Sequence, residues 1–133
     1  MEIRYINPDN MSEPRGYSHA ISVSGNHRTI YIGGQNALDK NGILVGKNNL
    51  GQQTEQVLIN ISKLLAAANA KLENVIKFTI HILQGQDPLD GFQAFQKHWS
   101  DNQRFPAVTI LFVPGLGNPD WLVEIDAIAV VGE

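Results

Sequence analysis

FPAVTILFVPGLGNPDWLVEIDAIAVV, residues Phe105–Val131, is the stretch of sequence that decides the fold. β-Branched and other large apolar residues dominate its two runs, Ala107–Val113 and Leu122–Val131, and the segment between them, Pro114–Pro119, is rich in Pro and Gly. This pattern is typical of two strands joined by a loop. The stretch contains one Glu and two Asp but no Arg, Lys or His, so Glu124 has no cation nearby in sequence.

Glu124 is the residue in this stretch that most needs a physical explanation. Leu122, Val123 and Ile125 flank it, and burying an unpaired carboxylate costs several kcal/mol. An acid in this position therefore lies at an interface or in a pocket. One interpretation is an edge or interface acid satisfied by backbone N–H groups and water, and the other is a functional carboxylate.

Hydrophobic spacing predicts the remaining elements. Alternation with a period of two indicates strands, and apolar residues three and four apart indicate helices. Ser24-Gly25-Asn26 has the residues of a tight reversal and predicts a hairpin of the second and third strands. The predicted strands before residue 105 are Glu2–Ile6, His19–Ser24, Arg28–Gly33 and Val75–Leu83; the predicted helices are Gln52–Ala70 and one that begins at Asp87-Pro88 and carries Phe92, Phe95 and Trp99.

This order of elements predicts an α+β fold, a mixed β-sheet with two helices packed on one face. At 133 residues the chain fits a single domain, residues 1–133. The strand Val75–Leu83 has a second face that is polar, and Glu124 and Asp126 share one side of the last strand. We expect this surface of the sheet to meet another subunit. Alternation places Ile76, Phe78, Ile80 and Ile82 on the apolar face and Lys77, Thr79 and His81 on the polar face.

Composition and charge exclude several classes of protein. The net charge of −3 and the lack of a basic run argue against binding to nucleic acid. The chain has no Cys, which excludes disulfides and thiolate metal sites and fits a reducing cytosol. The polar N-terminus lacks the apolar region of a signal peptide, and no run is long enough to span a membrane. We therefore expect a soluble cytoplasmic protein.

Common catalytic and cofactor motifs are missing from the sequence. There is no phosphate-binding glycine loop and no nucleophile elbow, and the four His show no metal-ligand spacing. Gly33-Gly34 ends a strand with two residues that lack Cβ, which is either a plain turn or a place where a ligand approaches backbone N–H groups. We expect neither a metal nor a cofactor.

Several short segments, taken together, resemble the RidA family, also called YjgF-like proteins. The resemblance covers essentially the whole chain in one collinear order. It is specific as a set, although each segment alone is weak. The segments are Gly16-Tyr17-Ser18-His19-Ala20, Ile32-Gly33-Gly34-Gln35, Gln53-Thr54-Glu55-Gln56 with Asn60, Ala67-Ala68 before Leu72-Glu73-Asn74-Val75, Phe105-Pro106-Ala107, and Val123-Glu124-Ile125-Asp126-Ala127-Ile128-Ala129.

The resemblance implies a chorismate-mutase-like fold and a homotrimer with clefts between neighbouring subunits. It also implies hydrolysis of reactive imines or enamines, such as 2-iminobutanoate, to keto acids and ammonia without a cofactor. By position in the family's motifs, Glu124 would orient or activate water, Tyr17 would line the cleft, and the strand-end glycine would be Gly33 with Gly34 beside it.

One position departs from the family pattern. The Arg that clamps the substrate carboxylate in family members is replaced here by Val108, and Ile110 replaces a Cys found in many active members. The stretch has therefore lost the cation that would neutralise Glu124 and the substrate together. Arg15 or His19, on the Tyr17 loop, are candidates for a replacement cation. Arg104 is four residues before Val108, on the other side of Pro106, and is not expected to turn inward.

The expected function is cofactor-free hydrolysis or tautomerisation of a small metabolite at an imine or enamine C–N centre. Glu124 would be the acid/base and Tyr17 a hydrogen-bond donor; the candidate substrate-binding residues are Gly33, Gly34, His19, Arg15, Val108 and Ile110. Simple 2-imino acids should be poor substrates. An alternative is a non-catalytic module that binds or senses a small molecule in the same cleft. A ribonuclease or translation inhibitor is a third interpretation, against which the acidic charge argues.

Overall fold

The computed structural model describes residues 1–99 and 104–133. Six of its elements are strands, in agreement with the order predicted from the sequence. A short 3₁₀ helix, Leu72–Asn74, precedes the fourth strand. In chain order the main elements are β1 Glu2–Ile6, β2 Ala20–Ser24, β3 His27–Gln35, α1 Leu50–Ala67, β4 Val75–Leu83, α2 Pro88–His98, β5 Ala107–Val113 and β6 Val123–Gly132.

The main sheet has four strands in the order β3-β6-β4-β5. The strands β4 and β5 run parallel, and the other neighbours are antiparallel, so the predicted mixed sheet is confirmed. The predicted hairpin of β2 and β3 is wrong. Gly25 does turn the chain with a φ of +84°, but β2 pairs with β1 in a separate two-stranded sheet while β3 pairs with β6.

Both helices begin at side-chain caps and pack on one face of the main sheet. Asn49 Oδ1 accepts a hydrogen bond from Gln52 N at the start of α1, and Asp87 Oδ1 accepts one from Leu89 N at the start of α2. Four apolar residues of α1 are fully buried in the core, namely Val57, Leu58, Ile61 and Leu65. The helix α2 places Phe95 against Phe78 with a ring-centroid distance of 5.3 Å. Neither helix is long and apolar enough to cross a membrane, in the part of the chain that the structure describes.

The two faces of the main sheet differ in chemistry. The face under the helices carries Phe78, Ile80 and Ile82 of β4, all buried. A bulge at Val75–Lys77 shifts the alternation, so that Val75 is buried where Ile76 was predicted to be. The other face, which neither helix covers, is called here the open face; it carries Tyr31, Thr79, His81, Glu124 and Asp126.

Candidate functional site

Glu124 is half-buried on the open face, beside an irregularity in β3. The residues Gly33 and Gly34 lie opposite Asp126 alone, because the register of β3 and β6 shifts between Ile32 and Gln35. Such a bulge interrupts the ladder and is common next to functional sites. A Cβ on Gly34 would lie 2.8 Å from Glu124 Cδ, so the carboxyl group rests directly against this glycine.

His81 is the cross-strand partner of Glu124. Its Nδ1 lies 3.2 Å from the carbonyl oxygen of Glu124. The next pair along the same two strands is Thr79 with Asp126, so two carboxylates and one imidazole share the centre of the open face. The alternation of β4 predicted a polar face here, but the sequence did not indicate that His81 would be the partner of Glu124.

The opposite, helix-covered face contains a cavity of about 770 Å³ between α2, β5 and the loop before β2. This volume lies within the range of about 300 to 1,000 Å³ that is common for small-molecule sites. The walls are mostly apolar, and the polar residues that line the cavity include Arg15, Tyr17, Asp87 and Gln96. Apolar side chains that line it include Phe78, Ile80, Phe92, Phe95, Trp99, Phe105, Val108 and Ile110.

The Tyr17 loop is attached to the turn before β5. Ser18, which is buried, donates from Oγ to Phe105 O at 2.6 Å and from its backbone N to Pro106 O at 2.9 Å. These bonds place Tyr17 and Arg15 at the cavity together with Val108. His19 is held differently, because its Nε2 lies 2.7 Å from Ser12 O and its ring meets the Tyr17 ring edge-on.

The predicted site residues therefore fall into two groups on opposite faces of the sheet. Val108 is paired with Phe78, and Ile110 with Ile80, on the helix-covered face. Glu124 is paired with His81 on the open face. Because side chains alternate along a strand, residue 108 points away from Glu124 of the same chain. An Arg at that position could not neutralise its own chain's Glu124.

A hydrogen-bond network ties the end of β3 to α1 and β6. Asn60 donates from Nδ2 to the carbonyl oxygens of Asn36 and Leu38, at 3.1 and 2.9 Å. Asn36 in turn donates to Val123 O, the residue before Glu124. These bonds position the glycine bulge and the carboxylate relative to each other. Among the described residues, no three His, Asp or Glu side chains form a group that could hold a metal ion.

Sequence reasoning did not identify Ser18, Asn36 or His81 as parts of these sites. Ser18 and Asn36 act through backbone groups about 87 residues away, a separation at which no local pattern is informative. His81 had one usable signal, its position on the polar face of β4. Combining that signal with the pairing of β4 and β6 would have identified it.

Comparisons with known proteins agree with the fold. A Rid family protein from Yersinia pestis has a solved structure that matches with a TM-score of 0.85 and 33% identity, covering 98% of this chain and all of that one. RidA from an Antarctic Psychrobacter matches with a TM-score of 0.69 and 29% identity, covering 96% and 99% of the two chains. The chorismate-mutase-like α+β fold expected from the resemblance is thus confirmed.

Sequence comparisons lead to the same family. A RutC family protein from Pyrococcus horikoshii is 36% identical over 123 residues, covering 91% of this chain and 92% of that protein. The human protein named 2-iminobutanoate/2-iminopropanoate deaminase is 29% identical over 116 residues, covering 87% and 80%. The model of the family described as Endoribonuclease L-PSP matches residues 9–131. The chain therefore belongs to the RidA family of YjgF-like proteins.

Proposed function

We propose that the protein hydrolyses or tautomerises a small metabolite at an imine or enamine C–N centre, with no cofactor. The observation that carries this proposal is the Glu124 carboxyl group resting against the Gly33-Gly34 bulge on the open face. A carboxylate can take a proton from water, and backbone N–H groups at the bulge can stabilise charge that develops on the substrate. Relatives named as imine deaminases support the same chemistry.

We propose further that the reaction takes place in a cleft between subunits of a homotrimer. Val108, Tyr17 and Arg15 lie at the cavity on one face of the sheet, and Glu124 lies on the other. A cleft that brings both groups to one ligand takes them from two copies of the chain. In it, Tyr17 would donate a hydrogen bond to a substrate held by the cavity of one copy and by the Glu124 of its neighbour.

The substrate should be neutral or apolar, and simple 2-imino acids should react poorly. Val108 offers no hydrogen bond to a carboxylate, and losing a buried Arg–carboxylate pair costs about 3 to 5 kcal/mol. Arg15 is exposed at the rim of the cavity and His19 is bonded to Ser12 O, so neither reproduces an Arg at residue 108. The apolar cavity wall instead favours an aromatic or aliphatic group.

Release of ammonia and keto acid from freshly generated 2-iminobutanoate would test these proposals. We expect low turnover by the wild-type protein, a gain with Val108→Arg, and no activity with Glu124→Gln. Thermal melting of each variant controls for loss of fold. Efficient wild-type turnover that Glu124→Gln abolishes would retain the catalytic proposal and contradict the importance given to Val108. Unchanged turnover in Glu124→Gln would overturn the role of Glu124.

The second candidate function is non-catalytic binding or sensing of a small molecule, favoured by the volume and apolar lining of the cavity. Fluorescence of the neutral probe N-phenyl-1-naphthylamine would report on that cavity. Under this alternative Glu124→Gln leaves probe binding intact or tightens it, and no imine is turned over. Probe binding that Val108→Arg weakens at least about tenfold, together with wild-type inactivity on imines, would favour binding over catalysis.

Ribonuclease activity, which the family description names, remains a third candidate. The net charge of −3 gives no long-range attraction to RNA. We expect no cleavage of RNA by a preparation free of contaminating nucleases. Cleavage that persists through repurification and is lost in Glu124→Gln would overturn this expectation.

We propose the cytoplasm as the location of this chemistry, since a sequence without Cys suits a reducing compartment. Cell fractionation with an antibody to the chain would check it. Recovery in a membrane or extracellular fraction would contradict it.

A further inference from the structure

His81 is the titratable side chain paired directly with Glu124 in the described sheet. Side chains paired across antiparallel strands on one face have Cβ atoms about 4.5 to 5.5 Å apart. The Glu124 carboxyl group leans toward Gly34 on β3 and His81 lies on β4, so a small molecule that lies over β6 between these two strands can contact both the carboxylate and the imidazole. Both residues are half-buried, which leaves part of each side chain accessible to such a molecule.

The hydrogen bonding of His81 determines which ring nitrogen is free. A backbone carbonyl oxygen accepts but cannot donate, so the contact of 3.2 Å with Glu124 O assigns the N–H of the neutral ring to Nδ1. The other nitrogen, Nε2, then carries the free lone pair of the neutral ring. Of the remaining charged groups on this part of the face, Lys77 donates to Thr109 Oγ1 and Asp126 is paired with Thr79.

We propose that His81 is a second catalytic residue, which moves protons at Nε2 while Glu124 acts on water. The proposal rests on the function proposed above. As the oxygen of water bonds to the imine carbon, Glu124 takes one of its protons, and the π electrons of C=N move to nitrogen, which receives a proton from Nε2 of protonated His81. The product of this step is a neutral carbinolamine.

The second half of the reaction restores both residues. The carbinolamine hydroxyl returns a proton to Nε2 as C=O forms. The C–N bond breaks, its electron pair leaves with nitrogen, and that nitrogen takes the proton held by Glu124. The sum is imine plus water to carbonyl compound plus ammonia. His81 thus supplies a proton donor on the open face, beside Glu124.

His81→Asn separates this role from a structural one. The Asn Nδ2 lies near the place of the imidazole Nδ1 and can keep the bond to Glu124 O, but Asn cannot carry protons. His27→Asn is the matched control, because His27 Nδ1 also bonds a backbone oxygen, Gly25 O at 2.8 Å, at the far end of β3. We expect kcat on the best imine substrate to fall about 100-fold in His81→Asn, with KM little changed, and to be unaffected in His27→Asn.

Chemical rescue provides the second readout. Added imidazole should raise the turnover of His81→Ala at least about tenfold. It should leave the turnover of Glu124→Gln unchanged. The substrates would be 2-iminobutanoate and a freshly generated neutral aromatic imine. A wild-type protein inert on both would overturn the proposed function and this inference with it. An active wild type with His81→Asn equally active, or a His81→Ala loss that imidazole does not restore, would overturn this inference alone.

Discussion

The position of the Glu124 carboxyl group requires a glycine at residue 34. A Cβ there would lie 2.8 Å from Glu124 Cδ, closer than side-chain carbons approach in folded proteins, whereas a Cβ on Gly33 would meet nothing within 4 Å. The two adjacent glycines of the bulge thus have different roles. Gly34 allows the carboxylate to approach the backbone, and Gly33 borders open space.

The close contact with Glu124 predicts that an added Cβ at residue 34 lowers turnover. In Gly34→Ala the flexible end of Glu124 has to move, so we expect turnover to fall at least about tenfold while the melting temperature changes by only a few degrees. Gly115→Ala is the matched control, because a Cβ on Gly115, in the loop before β6, would meet nothing within 4 Å, and it should keep wild-type turnover. Equal turnover in the two variants would show that the position of the carboxyl group is unimportant for activity.

At the scale of the element, one buried polar side chain of α1 bonds to the loop before α1 and to the loop before β6. Gln53 is completely buried and donates from Nε2 to Gly46 O and Asp120 O, at 3.2 and 3.0 Å. Its Oε1 accepts from Leu122 N at 2.9 Å, just before β6 begins. The amide nitrogen and the amide oxygen of Gln53 thus both bond to backbone groups of loops, which have no partner in a regular β-ladder at that point.

Replacing Gln53 should therefore destabilise the fold as a whole. Gln53→Met keeps the volume of the side chain but leaves Leu122 N–H and two carbonyl groups without this partner, so we expect a loss of about 2 kcal/mol or more in the free energy of unfolding. Urea denaturation measures it. Gln52→Met, at the exposed neighbouring position, should change the free energy by less than about 0.5 kcal/mol. A loss of similar size in both variants would contradict the role of the buried bonds.

At the scale of the whole molecule, the main sheet ends in an apolar edge. The β5 residues Ile110, Leu111 and Phe112 are each about half exposed, and the open face beside them is not covered by a helix. Exposed apolar strands of this kind mark interfaces. Together with the separation of Glu124 and Val108 onto two faces, this edge supports a shared cleft between copies of the chain.

A homotrimer of a 14.7 kDa chain should have a mass of about 44 kDa in solution. We expect light scattering to give that mass for the wild type and a smaller one for Leu111→Glu, because the new charge lies at the apolar edge. Leu64→Glu, on α1 with a comparable exposure of 43%, is the control and should keep the wild-type mass. A monomeric wild type would remove the basis for the shared cleft.

The sequence by itself determined the class and order of the elements in this protein. The three-and-four spacing of α1 and the alternation along β4 and β6 depend on residues that are neighbours in the chain, and so does the position of Glu124 in an apolar strand. The polar second face of β4, including His81, could be predicted from the same alternation.

Only the tertiary structure decided which strands pair and which residues meet. Pairing β2 with β1, inserting the Gly33-Gly34 bulge opposite Asp126 and placing His81 beside Glu124 all depend on contacts between segments far apart in sequence. The separation of Val108 from Glu124 has the same origin. Both strands were predicted correctly, but the register of their pairing decides which face each side chain occupies. Register is set by packing and backbone hydrogen bonds across the whole sheet, and a shift of one residue exchanges the faces.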